Sequence, residues 1–295
     1  MRRALNAIGR TLIVGGTLLL LFVAYQLWGT GLYTDAQQSA LRGDLRTTIR
    51  EASRARAPVS GTTTTTRPAP PPPEGDAVGF IKIPKIGVDD VVVQGISVPD
   101  LRKGPGHYPD SPMPGQLGNA AIAGHRTTYG APFNRLDELA PNDPITIITP
   151  AGTFRYLVTE QLIVTKTQVE VLDPTPDATL TLTTCHPKYS ARQRLIIKAR
   201  LDLTESPKPV KPHPSTSKSS SKSPGRPAVD DLSGSSESRL PVIWSGLIAA
   251  AVGLAWWAGF RRRKAWFVWV AGAIPFLVAY ALFCFYLERV LPPGF

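Results

Sequence analysis

Cys185 is the residue of this sequence with the clearest potential for covalent chemistry. The chain of 295 residues contains two cysteines, of which Cys284 lies in an apolar stretch and Cys185 in a polar one. Cys185 follows an alternating run of Thr and Leu at 179–184, a pattern that predicts a strand. A nucleophilic cysteine also needs a proton partner and an electropositive setting. Without these, a lone cysteine in a β domain is usually a small buried hydrophobic residue.

Four histidines are possible proton partners of Cys185. His213 lies in a Ser/Pro/Lys tract, and His186 should point to the opposite strand face because side chains alternate along a strand. His107 lies in the turn-rich segment Gly-Pro-Gly-His-Tyr-Pro. His125 follows an apolar strand and a glycine, a position typical of a catalytic base, so the spacing favours it while His107 stays an alternative.

Acyl transfer develops negative charge on an oxygen atom, which an arginine could stabilise. Arg192 and Arg194 lie on the loop and strand that follow Cys185. Arg194 opens the next predicted strand, and antiparallel pairing would bring it back beside Cys185. An arginine at the start of a strand is usually solvated, so the residues alone leave both interpretations open.

The elements that must position these residues lie in 76–204, a span of about one domain. Short β-branched runs alternate there with turn residues, and eight such runs predict a mainly β barrel or sandwich. The runs are 79–87, 91–96, 119–124, 144–149, 153–158, 160–165, 178–184 and 194–201. A short helix is predicted at 133–139.

Three uncharged stretches predict transmembrane helices at 11–32, 240–260 and 265–287, because about 20 apolar residues span a bilayer. The first is interpreted as an uncleaved anchor, since no small-residue cleavage pattern follows it. Basic residues in the segment 1–10 and in the turn 261–264 place both on the cytoplasmic side. The sequence therefore predicts a multi-pass protein of the cell membrane with an extracytoplasmic folded domain.

Two linkers flank the predicted domain. Residues 33–75 combine a polar juxtamembrane helix with a Pro/Thr-rich spacer, and the Ser/Pro/Lys tract 205–239 is expected to be disordered. The net charge of +11 resides in these linkers and in the membrane flanks, which makes nucleic acid a poor fit. The sequence has no evident cluster of metal ligands, and we predict neither a metal nor a cofactor.

Two motifs resemble those of the sortase family. The string that begins at Thr181, Thr-Leu-Thr-Thr-Cys-His-Pro-Lys-Tyr-Ser-Ala-Arg-Gln-Arg, resembles the Thr-Leu-x-Thr-Cys signature with an arginine at the start of the next strand. The string Ala-Gly-His-Arg-Thr-Thr-Tyr-Gly at 123–130 resembles the family's histidine segment. The resemblance covers 76–204 and implies an eight-stranded sortase-type β-barrel with short helices.

The resemblance also implies roles for the candidate residues. Cys185 would be the nucleophile, His125 the general acid/base, and Arg194 the residue that stabilises the oxyanion or orients the substrate. Thr183, Thr184 and Tyr129 are expected to contact the substrate.

The implied reaction is that of a cysteine transpeptidase. It cleaves a C-terminal sorting signal of a secreted protein between Thr and Gly and forms a thioester, which an amine of a peptidoglycan precursor resolves. The spacing Cys-His-Pro-x-x-Ser-x-x-x-Arg is most similar to class E sortases of high-GC Gram-positive bacteria, which tend to prefer Leu-Ala-x-Thr-Gly signals. The expected sorting signal is therefore of the Leu-Ala-x-Thr-Gly or Leu-Pro-x-Thr-Gly type.

Three alternatives stay open. The C-terminal hydrophobic hairpin is more often associated with pilin-polymerising class C sortases, although the Asp-Pro-aromatic lid motif of that class is missing before the predicted barrel. The other two alternatives are a membrane-tethered, non-catalytic binding module and a cysteine hydrolase that only cleaves.

Overall fold

The computed structural model describes residues 2–25, 29–55, 70–212, 240–263 and 266–290. The described helices and strands form two units. One contains the helices α1 (Arg2–Ala24), α4 (Leu240–Arg263) and α5 (Trp266–Val290), and the other contains everything from α2 (Thr30–Ala55) onward through the last strand. Most of the predicted linker sequence, including His213, lies outside the described residues.

The second unit is built around a closed barrel of eight strands. The strands are β1 (Ala77–Ile83), β2 (Val88–Gln94), β3 (Gly106–His107), β4 (Gly118–Ala123), β5 (Pro144–Thr149), β6 (Gly152–Thr165), β7 (Ala178–His186) and β8 (Gln193–Leu201). Their order around the barrel is β1-β2-β3-β4-β7-β8-β6-β5. The pairs β2–β3 and β4–β7 are parallel, and the other pairs are antiparallel. The predicted mainly β, eight-stranded barrel is confirmed.

The barrel interior is filled by one face of each long strand. Ile81, Ile147, Leu182 and Ile197 are all fully buried members of this core. Because side chains alternate across a strand, the residues between them project from the outer surface of the barrel. This alternation decides which residues of β7 and β8 are available for chemistry.

Two strand predictions need correction. The runs 153–158 and 160–165 are one strand, β6, whose pairing with β8 shifts between Val158 and Glu160. A bulge of this kind adds a residue without ending the strand. The eighth strand is instead β3, which pairs with β2 and β4 over two residues only. Two residues are too few to show a period-2 pattern.

The second unit also contains two helices outside the barrel. In α2, Leu45 packs with Phe80 and Val91 of the barrel, and the Gln38 side chain donates to the carbonyls of Val91 (2.9 Å) and Lys103 (2.8 Å). The helix α3 (Val98–Lys103) has no counterpart in the prediction. The helix predicted at 133–139 is a single 3-10 turn at Leu136–Glu138.

The first unit contains a helix at each stretch that is predicted to span a membrane. Within the described residues, one segment, Leu240–Ala258 of α4, is long and apolar enough to cross a bilayer, and the apolar segments Gly15–Ala24 and Gly272–Leu287 are shorter. Three transmembrane helices are therefore not confirmed. Inside this unit the Tyr280 hydroxyl donates to the Leu18 carbonyl (2.5 Å), which joins α5 to α1.

Candidate active site

The strands β7 and β8 place Cys185 and Arg194 side by side. The two residues are partners in the antiparallel register of these strands, so their side chains project from the same face. Leu182 and Leu195 point into the core, which puts Cys185 and Arg194 on the outer face of the barrel. The predicted return of Arg194 to the cysteine is therefore observed.

His125 reaches the same end of the barrel from β4. That strand runs parallel to β7, with Ala123 opposite Thr183. The Gly124 amide donates to the Thr183 carbonyl (3.1 Å), and the Thr184 hydroxyl donates to the Gly124 carbonyl (2.8 Å). These two bonds continue the strand pairing past the end of β4 and bring the next residue, His125, to the level of Cys185.

The His125 side chain is partly exposed, but its Nε2 atom is buried and has no hydrogen-bond partner among the described residues. Its ring lies 5.1 Å from the ring of Tyr129, measured between centroids. Burial lowers the pKa of His125 to about 4, and the positive charge of Arg102 acts in the same direction. At neutral pH the imidazole is therefore uncharged and can accept a proton.

Cys185 is also a partly exposed residue. Burial raises the pKa of its thiol, and the positive charges of Arg194 and Arg126 oppose that effect without cancelling it. The resting site at neutral pH thus holds a neutral thiol and a neutral imidazole. Negative charge on sulfur becomes favourable only when a proton has moved to a nearby base.

Arg194 is 3% exposed. Its Nη1 atom donates to the carbonyls of Ala191 (3.0 Å) and Gln193 (3.1 Å), and its buried Nε has no partner in the part of the chain that the structure describes. Burying a guanidinium with a donor unused is costly. The arrangement holds a fixed donor ready for an oxygen that becomes negatively charged beside Cys185.

A narrow groove runs along the outer face of β7 and β8 next to Arg194. It is lined by Tyr108, Val164, Thr165, Gln168, Val171, Leu172, Thr183, Arg194 and Ile196. The buried hydroxyl of Thr183 has no hydrogen-bond partner within the described ranges. In this structure the groove is too narrow to admit a water molecule, and its walls are mostly apolar.

The three predicted substrate contacts occupy different environments. Thr183 lines the groove. The hydroxyl of Thr184 is used in the bond to Gly124 that holds the His125 loop. Tyr129 is 8% exposed and lies between His125 and Arg102.

The rings of the other two described histidines have hydrogen-bond partners in other parts of the domain. The fully buried His107 contacts Gln94 Oε1 through Nδ1 (3.0 Å) and the Pro112 carbonyl through Nε2 (3.0 Å). The Nδ1 atom of His186 accepts from Arg126 Nη1 (3.0 Å). Between the two histidines that the spacing left open, the structure favours His125.

Arg126 is a residue of the site that the sequence analysis missed. It is 4% exposed, and its Nη1 atom also donates to the Cys185 carbonyl (3.1 Å) while Nη2 pairs with Asp137 (3.0 Å). Arg126 thereby ties the loop of His125 to the strand of Cys185. Its position next to His125 was the only signal that could have indicated it.

Comparisons with known proteins point to one family. A family model described as the sortase domain matches residues 81–202. The chain is 34% identical to sortase SrtE1 of Streptomyces coelicolor over 210 residues, which are 66% of this chain and 56% of SrtE1. It is 30% identical to sortase SrtE2 of the same organism over 224 residues, which are 69% of this chain and 84% of SrtE2.

A solved structure of sortase E from Streptomyces avermitilis is 35% identical, covers 46% of this chain and 97% of its own, and superimposes with a TM-score of 0.41. From the sequence comparisons, the chain belongs to the sortase family, whose members are cysteine transpeptidases. Within that family it is similar to the class E sortases SrtE1 and SrtE2.

Proposed function

We propose that the protein cleaves a C-terminal sorting signal between Thr and Gly and joins the released carbonyl to an amine of a cell-wall precursor. The observation that carries this proposal is the pairing of Cys185 with Arg194 at the barrel end where His125 has an unused Nε2. A nucleophile, a proton carrier and an oxyanion donor are the three functions that acyl transfer requires.

In the first step, Cys185 attacks the Thr carbonyl as its thiol proton passes to His125. The uncharged imidazole of the resting site suits this role as a base. A carbon–sulfur bond forms, and the carbonyl oxygen becomes negative next to Arg194. His125 then returns the proton to the glycine nitrogen as the carbon–nitrogen bond breaks, which leaves a thioester on Cys185.

In the second step, the acceptor amine attacks the thioester carbon. His125 takes a proton from the attacking nitrogen, and Arg194 again faces the oxyanion. When the carbon–sulfur bond breaks, the proton moves from His125 to the Cys185 sulfur. The site is restored and a new amide bond joins the two substrates.

Thr183 stays a candidate contact of the signal peptide, because it lines the groove beside Arg194 and its buried hydroxyl has no partner among the described residues. We assign Thr184 to the support of the His125 loop, because its hydroxyl already contacts Gly124. The similarity to class E sortases supports a Leu-Ala-x-Thr-Gly preference.

We further propose that the protein is a multi-pass membrane enzyme with a cytoplasmic N-terminus and an extracytoplasmic barrel. The charge-flanked apolar stretches of the sequence and the apolar helix Leu240–Ala258 support this topology. In this setting the acceptor and the secreted substrate both meet the barrel outside the membrane.

The test uses the full chain in detergent with a Leu-Ala-x-Thr-Gly peptide, a Leu-Pro-x-Thr-Gly peptide, and an amine. Mass spectrometry should detect an acyl group on Cys185 and an amide product in the presence of amine. Cys185→Ala should form neither species, whereas the matched control Cys284→Ala should behave as the wild type. Amide product from Cys185→Ala would refute the proposal, and free acid alone at every amine concentration would identify a hydrolase.

A further inference from the structure

The turn that follows His125 has an unusual backbone. Tyr129, Gly130 and Ala131 all have positive φ angles, of 52°, 73° and 45°. This left-handed region is disfavoured for residues with a Cβ atom, and two of these three residues are not glycine. Such a turn persists only where its surroundings hold it in place.

The first turns of α2 help to hold this turn in place. The Tyr129 amide donates to the Thr30 hydroxyl (3.3 Å), and the Thr34 hydroxyl donates to the Arg102 carbonyl (2.9 Å). Both threonines are buried. They lie four residues apart and therefore share one face of the helix. On that face, Thr34 also faces Gly130, since a Cβ added to Gly130 would lie 3.4 Å from the Thr34 methyl carbon.

Arg102 of α3 also holds the turn in place, by packing against Tyr129. Its guanidinium carbon lies 5.5 Å from the centroid of the Tyr129 ring, and that ring lies 5.1 Å from the ring of His125. A guanidinium over an aromatic face is attractive, and more so where water is excluded. Arg102 and Tyr129 are both more than nine-tenths buried. The three side chains form a continuous packed row that ends at His125.

We propose that Arg102 and Tyr129 are positioning residues for His125, and that the first turns of α2 lock this row in place through Thr30 and Thr34. The proposal rests on the proposed function of the site. It makes α2, which follows the N-terminal apolar helix in the chain, a working part of the active site rather than a spacer. It also assigns Tyr129 to the support of His125 and not to contact with the substrate.

The positive charge of Arg102 is consistent with this role. It lowers the pKa of His125 in the same direction as burial does. Removal of Arg102 would change both the position of the imidazole and its charge environment, so the geometry is tested first at Tyr129 and Thr34.

The test measures kcat and KM for cleavage of a Leu-Ala-x-Thr-Gly peptide by the full chain in detergent, together with the thermal unfolding midpoint of each variant. Tyr129→Leu and Arg102→Met should lower kcat about tenfold or more with little change in KM, since small displacements of catalytic groups are costly. The conservative changes Tyr129→Phe and Arg102→Lys should each lose less activity than the corresponding larger change.

A matched pair of threonine substitutions isolates α2. Thr34→Val removes the hydroxyl that bonds to Arg102 and should lower kcat by a few-fold at constant KM. Thr48→Val makes the same chemical change on the same helix, where the exposed Thr48 hydroxyl bonds only to the Asp44 carbonyl (3.0 Å), and should leave kcat unchanged. The two variants should unfold within a few degrees of each other.

Two results would overturn the inference. A raised KM at unchanged kcat in Tyr129→Phe would make Tyr129 a substrate contact, and equal kcat values in Thr34→Val and Thr48→Val would remove α2 from the site. Neither result would contradict the proposed function. That function fails separately, if Cys185→Ala still forms product.

Discussion

His107 and His125 lie on neighbouring parts of the barrel and differ in whether a ring nitrogen is left without a partner. Burial lowers the pKa of each imidazole to about 4. The ring of His107 has partners at both nitrogens, whereas Nε2 of His125 has none among the described residues. A lowered histidine pKa therefore shows only that the ring is neutral. The proposal that His125 receives the proton rests on its unused nitrogen and on its position at the barrel end that carries Cys185.

The two histidines should differ most in how replacement by leucine changes the rate at which Cys185 is acylated. His125→Leu should reduce acylation of Cys185 by about 10² to 10⁴-fold, the usual contribution of a positioned acid/base group. Its unfolding midpoint should stay close to that of the wild type, because an apolar side chain replaces a nitrogen that has no bond to lose. Stopped-assay mass spectrometry of the acyl-enzyme measures the rate, and activity within tenfold of wild type would contradict the comparison.

His107→Leu should show the opposite pattern. It leaves the buried Oε1 atom of Gln94 without its ring partner, and such a group costs about 1–3 kcal/mol of unfolding free energy. The activity per folded molecule should stay within about threefold of the wild type, since His107 does not act on the proton of Cys185. Unfolding curves and active-site titration with a thiol reagent separate the two quantities. A stable but inactive variant would place His107 in the mechanism after all.

The smallest expected effect is in the pH dependence of kcat/KM. Activity is lost below the lowered pKa of His125, where the ring is already protonated, and above the raised pKa of Cys185, where the thiol proton is already gone. Between about pH 5 and pH 8.5 the profile should therefore vary by less than about threefold. A narrow bell with its acid limb near the ordinary histidine pKa would show that His125 is solvated in the working enzyme.

The same pKa values set the direction of acid destabilisation. A histidine whose folded pKa is lowered binds fewer protons when folded than when unfolded between about pH 6.5 and 4. The stability of the barrel should consequently fall as pH decreases through that window. His107→Leu removes one of the two histidines responsible, so its stability should depend less on pH there.

Local patterns in the sequence were sufficient for the parts of the site that depend on strand geometry. The alternation at 179–184 predicted β7, and the arginine that opens the next apolar run predicted the pairing of Arg194 with Cys185, which the register shows. The number of strands was predicted correctly even though β6 was divided and β3 was overlooked. Hydrophobic period and residue spacing are local properties of the sequence. In a pair of strands they fix which side chains share a face and which residues lie opposite each other.

The tertiary structure decided which side chains become partners when the residues lie far apart in the chain. Gln94 and Pro112 occupy His107, and Arg126 ties the His125 loop to Cys185. Tyr129 meets Thr30 across 99 positions of sequence, and no spacing rule reaches that far. The sequence by itself thus proposed a candidate nucleophile, a candidate arginine beside it and two candidate histidines. The spacing of the residues left both histidines open and the family resemblance implied His125. The fold supplies the physical reason, because it shows which ring nitrogen is left without a partner among the described residues once the barrel has closed.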